Sequence, residues 1–529
     1  MIHKYKKRTM RKKQEKFLLY ISVCIALTPI LLFRDFTPGN ELRYLSIADE
    51  ALRTPVFFAF TNHGIPYADK PPLYFWIIML CKWITGDHHI WLLSLFSLLP
   101  ALGIVQIMDQ WTLYYINDRS HLLAELMLLT SVLFIGAAVT LRMDILMCFF
   151  IILSLHRFWM IWKKTGNIKW NKWLFPLFIF LSVFTKGPLG LLIPFFSTTL
   201  FLFISGSIKH FFRYWGWYTW SILSICFLLW FSAVYIEGGV EYLYNLLIHQ
   251  TIDRAVNSFH HSEPFYYYTI SIWYSIAPWS LLILSILATL LREKLIHNDL
   301  QHFFLCIIIT IFLLLSCISS KLHIYLLPII PFLIYFATMF LSHFYNNSWI
   351  RITLIISAIL FTVAFPVLLI ISSNPKLSYL NENIFYIASI ILTLNGIYSQ
   401  YLLYKKKKEI NIFKVIRQMG IGILLTIFIA GWTLPKLNLE IGYGTLCKKA
   451  LELSSIHCIT NFYTWHISRS ENMDVYLQHP IHIIKNNEEP LLNINKPFLL
   501  LTRKSDLHHF PGKETHTIGR FAVVIMSIK

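Results

Sequence analysis

The chain has 529 residues, of which 56% are hydrophobic and 16% aromatic, while only 14% are charged. Soluble domains carry about 25% charged residues, so a mean hydropathy of +0.58 excludes a soluble globular enzyme and indicates a polytopic membrane protein. The formal net charge of +19 would suit a nucleic-acid binder, but the cations gather in short segments between apolar runs. That is the positive-inside pattern of a membrane protein, and it excludes nucleic acid as a partner.

Taken in chain order, residues 1–16 form a basic cytoplasmic head with Lys4, Lys6, Lys7, Arg8, Arg11, Lys12, Lys13 and Lys16. The first apolar run, 17–33, is followed by Arg34-Asp35-Phe36-Thr37-Pro38, which is no cleavage site, and is read as a retained anchor. A spanning helix needs about 20 apolar residues. Candidate spans are 17–33, 88–114, 121–141, 144–162, 172–185, 188–206, 216–236, 266–291, 302–317, 322–342, 349–372, 383–404 and 415–435. The run 72–85 is short and interrupted by Lys82, so it is read as interfacial or re-entrant. Counting it as a span would put the basic run Lys405 to Lys408 outside.

About thirteen crossings then place the N-terminus in the cytoplasm and the loops 34–87 and 237–265 on the opposite face. The transmembrane domain covers 17–435. The tail, 436–529, has the short apolar segments 456–460, 481–484, 498–502 and 521–526 between polar breaks, and reads as a small α/β extracytoplasmic domain. Six of the eight cysteines lie in or beside apolar runs, where cysteine acts as a small hydrophobe. Cys447 and Cys458 fall in the tail, where a disulfide and two free thiols are both open.

The residues that carry chemistry all fall on one face. Asn40, Glu41, Arg43 and Tyr44 follow the first span, and Glu41 and Arg43 are placed to share one cavity. Asp35, Asp49, Glu50 and Arg53 in the same loop read as surface charges. Lys70 precedes two prolines that stiffen its backbone at the membrane interface, with Tyr74 just beyond. Arg142 and Asp144 sit at a hinge between apolar runs, where an ionisable group is costly and is usually paired or functional. Lys186 and Lys321 occupy tight turns between spans, and Arg254 lies in the loop 237–265. So many cations on one face suit a lipid phosphate, whose departure they would stabilise. The adjacent histidines His260 and His261 do not project to one side of a helix or strand, which argues against a zinc site there. No metal is assigned, though a divalent ion is compatible.

The motifs Asn40-Glu41-x-Arg43-Tyr44, Lys70-Pro71-Pro72-Leu73-Tyr74, Thr185-Lys186-Gly187, Pro264-Phe265-Tyr266-Tyr267 and Ser320-Lys321-Leu322-x-x-Tyr325-x-x-Pro328 occur in order. Together they resemble the aminoarabinose transferases of lipid A, within the protein-mannosyltransferase-like membrane glycosyltransferases. The likeness covers roughly residues 17–345. It implies a GT-C fold with thirteen spans, a periplasmic C-terminal domain and inverting transfer from an undecaprenyl-phosphate sugar. It implies that Lys70 meets the donor phosphate, with Tyr325 beside it and Lys186 and Lys321 as further contacts. Where the family has the aspartate taken as its catalytic carboxylate, this chain has Asn40, so any base role shifts to Glu41 or, with an already ionised phosphate acceptor, lapses.

The expected function is therefore sugar transfer from a polyprenyl phosphate to lipid A, or to another envelope glycan or a protein, at the periplasmic side of a bacterial inner membrane. Asn40, Glu41 and Asp144 are expected at the reacting centre. Lys70, Arg43, Lys186, Lys321, Tyr325, Arg254 and Tyr74 are expected to hold the donor phosphate, and membrane lipids are expected to surround the spans. The alternatives are a transporter or flippase of lipid-linked sugars and a non-catalytic accessory subunit. A transporter would place its site near the midplane between internal repeats, and the charges here gather at one face without an evident repeat.

Overall fold

The first apolar run folds into the C-terminal half of one long helix, α1 (Ile2–Phe33), in a computed structural model that describes residues 2–248, 263–345, 347–404, 411–484 and 497–526. Beyond it the polar segment is ordered. It forms α2 (Glu41–Arg53), a two-residue hairpin of β1 (Thr61–Asn62) and β2 (Ile65–Pro66), and α3 (Leu73–Thr85). Reading 34–87 as a loop missed α2, which is amphipathic and buries Leu42, Leu45, Ile47 and Ala48 on one side. Helix α3 has 13 residues, a rise of about 20 Å. That falls short of a hydrocarbon core of about 30 Å.

The bundle continues with α4 (Ile90–Thr112), α5 (Asp118–Leu129), α6 (Val132–Val139), α7 (Met143–Lys163), α8 (Ile168–Lys186), α9 (Leu189–Ile204), the single turn α10 (Phe211–Tyr214) and α11 (Trp217–Tyr244). Then follow α12 (Tyr267–Ser275), α13 (Ser280–Glu293), α14 (Asp299–Cys317), a 3-10 segment (His323–Ile329), α15 (Ile330–Phe340), α16 (Ser348–Thr362), α17 (Ala364–Ser372), α18 (Asn383–Tyr404) and α19 (Ile412–Gly431). Among the described residues, eight helices are long and apolar enough to cross a bilayer, or nine if the bent pair α5–α6 counts as one.

Of the five expected spans outside these eight, two are broken pieces, α9 has only 16 residues, and α8 and α18 are long enough but less apolar. Helices α5 and α6 bend by 63°, and Pro278 separates α12 from α13. A break inside a bilayer requires other partners for the freed polar groups, and these two breaks supply one another. The Val132 N–H donates to the Ala277 carbonyl at 3.0 Å, and Trp279 Nε1 donates to Thr130 Oγ1 at 2.9 Å. The expected loop 237–265 also starts later than the sequence suggests. Helix α11 runs on to Tyr244 and turns at Gly239, whose φ of 74° favours glycine.

The tail begins with α20 (Leu434–Ile441) and α21 (Gly444–His457) and ends in a five-stranded mixed sheet. Its strands are β3 (Phe462–Thr464), β4 (Ile481–Ile483), β5 (Phe498–Arg503), β6 (Thr515–Ile518) and β7 (Phe521–Met526), in the order β4-β3-β5-β7-β6. Strand β3 runs parallel to β4 and β5, while β7 is antiparallel to β5 and β6, with Leu500 opposite Val524. The segment 456–460, expected as a strand, instead closes α21, with Cys458 in the left-handed region at φ 54°. Cys447 is buried, Cys458 is exposed, and both are free thiols.

Two cores organise the chain. One runs through the helices, from Val23 and Met108 to Phe303 and Tyr335. The other joins α2 and α3 to the tail, bringing Leu42, Leu45 and Phe75 together with Tyr443, Cys447, Leu499 and Val523. Asp35 pins this second core. Its carboxylate accepts from the Gly444 N–H at 2.6 Å and from the Tyr476 hydroxyl, and its own N–H donates to Asn438 Oδ1 at 3.1 Å. Ser46 of α2 donates to Asp474 at 2.9 Å. The tail therefore forms the far wall of whatever α2 and α3 enclose.

Candidate functional site

Helices α7 and α8 pack along each other, and their ends bring two opposite charges together. Asp144 lies in the first turn of α7 and Lys186 in the last turn of α8. Each charge thus sits at the helix end whose dipole favours it. Lys186 Nζ donates to Asp144 Oδ1 and lies 4.6 Å above the Tyr325 ring. Asp144 is only 5% exposed, so the bonded pair is screened little by water. Tyr325 arrives on the 3-10 segment, so three separate elements meet at this point.

Helix α2 supplies the next layer. The Tyr44 ring stacks edge-on against Tyr74 at 6.5 Å and Phe75 at 5.8 Å. Burial pushes its hydroxyl up to about 12, and the charges of Asp144, Arg43, Arg142 and Asp69 all act on it. Tyr44 therefore marks where the Asn40 motif meets the Arg142-Met143-Asp144 hinge. Arg43 donates to Asn40 Oδ1 at 3.0 Å and lies over the Tyr67 ring at 5.6 Å. Asn40 thus holds the arginine through its carbonyl oxygen.

Glu41 and Arg43 do not share a cavity. Successive positions of a helix face apart, and Glu41 points back toward the bundle. Arg34 donates to it twice, at 2.7 and 2.8 Å, the Thr37 N–H donates at 2.7 Å and the Leu141 N–H at 2.5 Å. Burial alone would raise this carboxyl, but the Arg34 guanidinium and the two backbone donors hold it below its ordinary value. The carboxylate is 1% exposed and its acceptor positions are filled. It ties α1, α2 and the turn before α7 into one unit.

The charges expected to be solvated are also struts. Asp49 is 7% exposed and bonds Lys82 at 2.7 Å and His88 at 2.6 Å, fixing α2 to α3. Glu50 closes the hairpin, accepting from Thr61 Oγ1 at 2.5 Å, His63 N at 2.6 Å and Gly64 N at 2.9 Å. Burial would raise both carboxyls, and these partners hold them below their ordinary values. Arg53 is exposed, as expected.

Lys70 sits half-buried just before α3, next to Asp69, and Tyr74 is fully buried. Lys321 is 4% exposed and donates to the Glu263 carbonyl at 3.0 Å, holding the far end of the loop 237–265. Arg254, His260 and His261 lie outside the described residues. Among the described residues no three His, Cys, Asp or Glu side chains converge as metal ligands.

Sequence reasoning missed two residues. Arg34 stands at the membrane edge directly after the first span, where an arginine is costly enough to signal a buried partner. Glu237 accepts from the Phe57, Phe58 and Ala59 N–H groups, at 2.8 and 2.6 Å for the first and last. With the Tyr242 hydroxyl on the Tyr67 carbonyl at 2.7 Å, it clamps the strand-turn segment over α3. No local signal announces a contact between positions so far apart in sequence.

No family model matches the chain. It is 27% identical over 335 residues to an uncharacterized protein of Aquifex aeolicus (strain VF5), covering 60% of this chain and 62% of that one. It is 25% identical over 287 residues to undecaprenyl phosphate-alpha-4-amino-4-deoxy-L-arabinose arabinosyl transferase 1 of Pseudomonas fluorescens (strain Pf0-1), covering 52% and 49%. The matched region thus spans about half to three fifths of these relatives' own length. The fold is similar to that of ArnT from Cupriavidus metallidurans bound to undecaprenyl phosphate, with a TM-score of 0.77 and 16% identity over 96% of this chain and 98% of that one. The apo state of the same protein gives 0.74.

Proposed function

We propose that this chain, with its ArnT-like GT-C fold and its sequence likeness to the aminoarabinose transferases, transfers a sugar from an undecaprenyl-phosphate donor to lipid A or another envelope acceptor. The observation that carries this reading is the centre formed by Asp144, Lys186 and Tyr325, roofed by α2 and α3 at one end of the bundle. A carboxylate, an ammonium and an aromatic face at a helix end, with Arg43 and Arg142 both acting on the neighbouring Tyr44, suit a reaction in which a phosphate leaves.

In an inverting transfer the acceptor oxygen attacks the anomeric carbon, the carbon–phosphate oxygen bond breaks, and the phosphate departs with the bonding pair. Lys186 would meet that growing charge, and a donor of this kind typically contributes about 10²–10³ in rate. When the phosphate takes Lys186, Asp144 loses its partner and becomes the carboxylate able to accept the proton of an acceptor hydroxyl. Asn40 cannot take a proton and would instead aim Arg43. Glu41, the base suggested by sequence, is assigned a structural role. Lys70, Lys321, Tyr74 and Arg254 remain candidates for holding the donor along the same face.

This reading includes thirteen crossings, adding to the eight long apolar helices the broken pairs α5–α6 and α12–α13 and the helices α8, α9 and α18, with a cytoplasmic N-terminus and a periplasmic tail. The basic head and the clustering of the site on one face support that orientation. Mass spectrometry of lipid A and envelope glycolipids from cells with the intact gene, a deletion or Lys186→Ala tests it. Loss of one sugar from the same glycolipid in both altered strains is the expected result. An unchanged glycolipid profile in the deletion strain would end the proposal.

A further inference from the structure

A second cavity, of about 450 Å³, opens between the last turn of α7, the first turns of α8 and the start of α11. It is remote from the centre described above. Asp144 opens α7 and Ile161, which lines the cavity, nearly closes it, a rise of about 26 Å along the helix. The two sites therefore occupy opposite ends of the bundle.

Lys169, Lys172 and Arg213 all line this cavity, and among the described residues no carboxylate lines it to neutralise them. The local backbone adds to the positive field. Helices α8 and α11 both begin here, neither has an acidic residue in its first turn, and no side chain caps α11. Lys169 and Lys172 stand near the N-terminus of α8, the end where a helix dipole disfavours cations. Three cations at two positive helix ends are mutually repulsive unless an anion joins them.

The rim says what carries the anion. Trp217 is 88% exposed and Phe212 79%, with Tyr218 beside them, while buried Phe175 and Ile161 give the cavity an apolar floor. Exposed tryptophan and tyrosine beside basic residues at the end of a spanning helix is the pattern of the bilayer interface. Basic pockets between helices at that level recognise anionic lipid headgroups.

We propose that this cavity binds the phosphodiester headgroup of an anionic glycerophospholipid, its acyl chains lying on the apolar surface below the aromatic rim. The site is separate from the reacting centre and does not depend on the proposed transfer reaction.

The test is native mass spectrometry of the full chain, released from detergent and titrated with phosphatidylglycerol or phosphatidylcholine of matched chains. The first phosphatidylglycerol adduct is expected at about tenfold lower lipid concentration than the first phosphatidylcholine adduct, since each basic residue near the surface adds severalfold. In Lys169→Gln/Lys172→Gln/Arg213→Gln the ratio should fall to about one. A control removing equal charge, Lys164→Gln/Arg292→Gln/Lys294→Gln, should keep it.

An unchanged ratio in the first variant, or an equal fall in the control, would overturn the proposal. So would suppression of the first adduct by millimolar inorganic phosphate, which would mean a site for soluble anions. If the triple variant does not fold, Lys172→Gln and Arg213→Gln alone should each lower the ratio about two- to threefold, and no change in either would count equally against it.

Discussion

Arg34 grips Glu41 through both terminal guanidinium nitrogens, at 2.7 and 2.8 Å, where α1 leaves the bundle and α2 begins. Breaking a buried pair by removing one partner costs about 3–5 kcal/mol, so Glu41→Gln should lower thermal stability sharply. Glu41's carboxyl is held below its ordinary 4.5 in the fold. Its stabilisation is therefore complete above the unfolded value and is lost as pH falls through the folded one. Acidification below about pH 4.5 should destabilise the native chain more than Arg34→Met/Glu41→Leu, which has no such charge. Thermal unfolding across pH checks this. Full stability with lost turnover in Glu41→Gln would return Glu41 to the chemistry.

Lys186 bonds Asp144 in the structure and, in the proposed mechanism, would pass to the donor phosphate, so the two would compete. Asp144→Asn should bind undecaprenyl phosphate more tightly while slowing transfer to a hydroxyl acceptor by about 10²–10⁴. Lys186→Ala should weaken binding and slow transfer together. Lipid-phosphate titration and single-turnover rates on each variant distinguish these outcomes. Weaker binding in Asp144→Asn would contradict the exchange.

The Glu237 carboxylate is the anchor of residues 57–59, with charge-assisted bonds about twice as strong as neutral ones. Glu237→Gln should expose the segment from Thr54 to Pro66 to limited proteolysis and lower transfer, with the bundle's thermal unfolding little changed. Cleavage at the native rate would show that Tyr242 holds the segment without it.

Burial pushes the Cys447 thiol up, whereas Cys458 is exposed at the end of α21. The thiolate is the reactive form, so a membrane-impermeant maleimide should label Cys458 and spare Cys447. Labelling in spheroplasts without lysis supports the periplasmic tail, and labelling only after lysis would reverse the proposed orientation.

Much of the site's composition was legible in the sequence. Asp144 and Lys186 stand out because ionisable groups at the ends of long apolar runs are expensive and need a partner, while Tyr325 was marked by the family resemblance. Their meeting was not legible, since it depends on how α7, α8 and the 3-10 segment pack. The loop 34–87 shows the converse. Its charges read as solvated because solvation is the usual fate of a charge, yet Asp35, Asp49 and Glu50 each bond groups far along the chain or across a turn.

The sequence by itself determined that this is a multi-span helical membrane protein with a small sheet region at its end. Apolar length and charge bias are local, additive quantities, so they survive without coordinates. Only the tertiary structure decided which carboxylate meets Lys186 and which is sealed in a clasp. Glu41 and Asp144 look alike as residues beside membrane spans. They differ because four donors converge on one while a single lysine holds the other, and convergence is a property of packing.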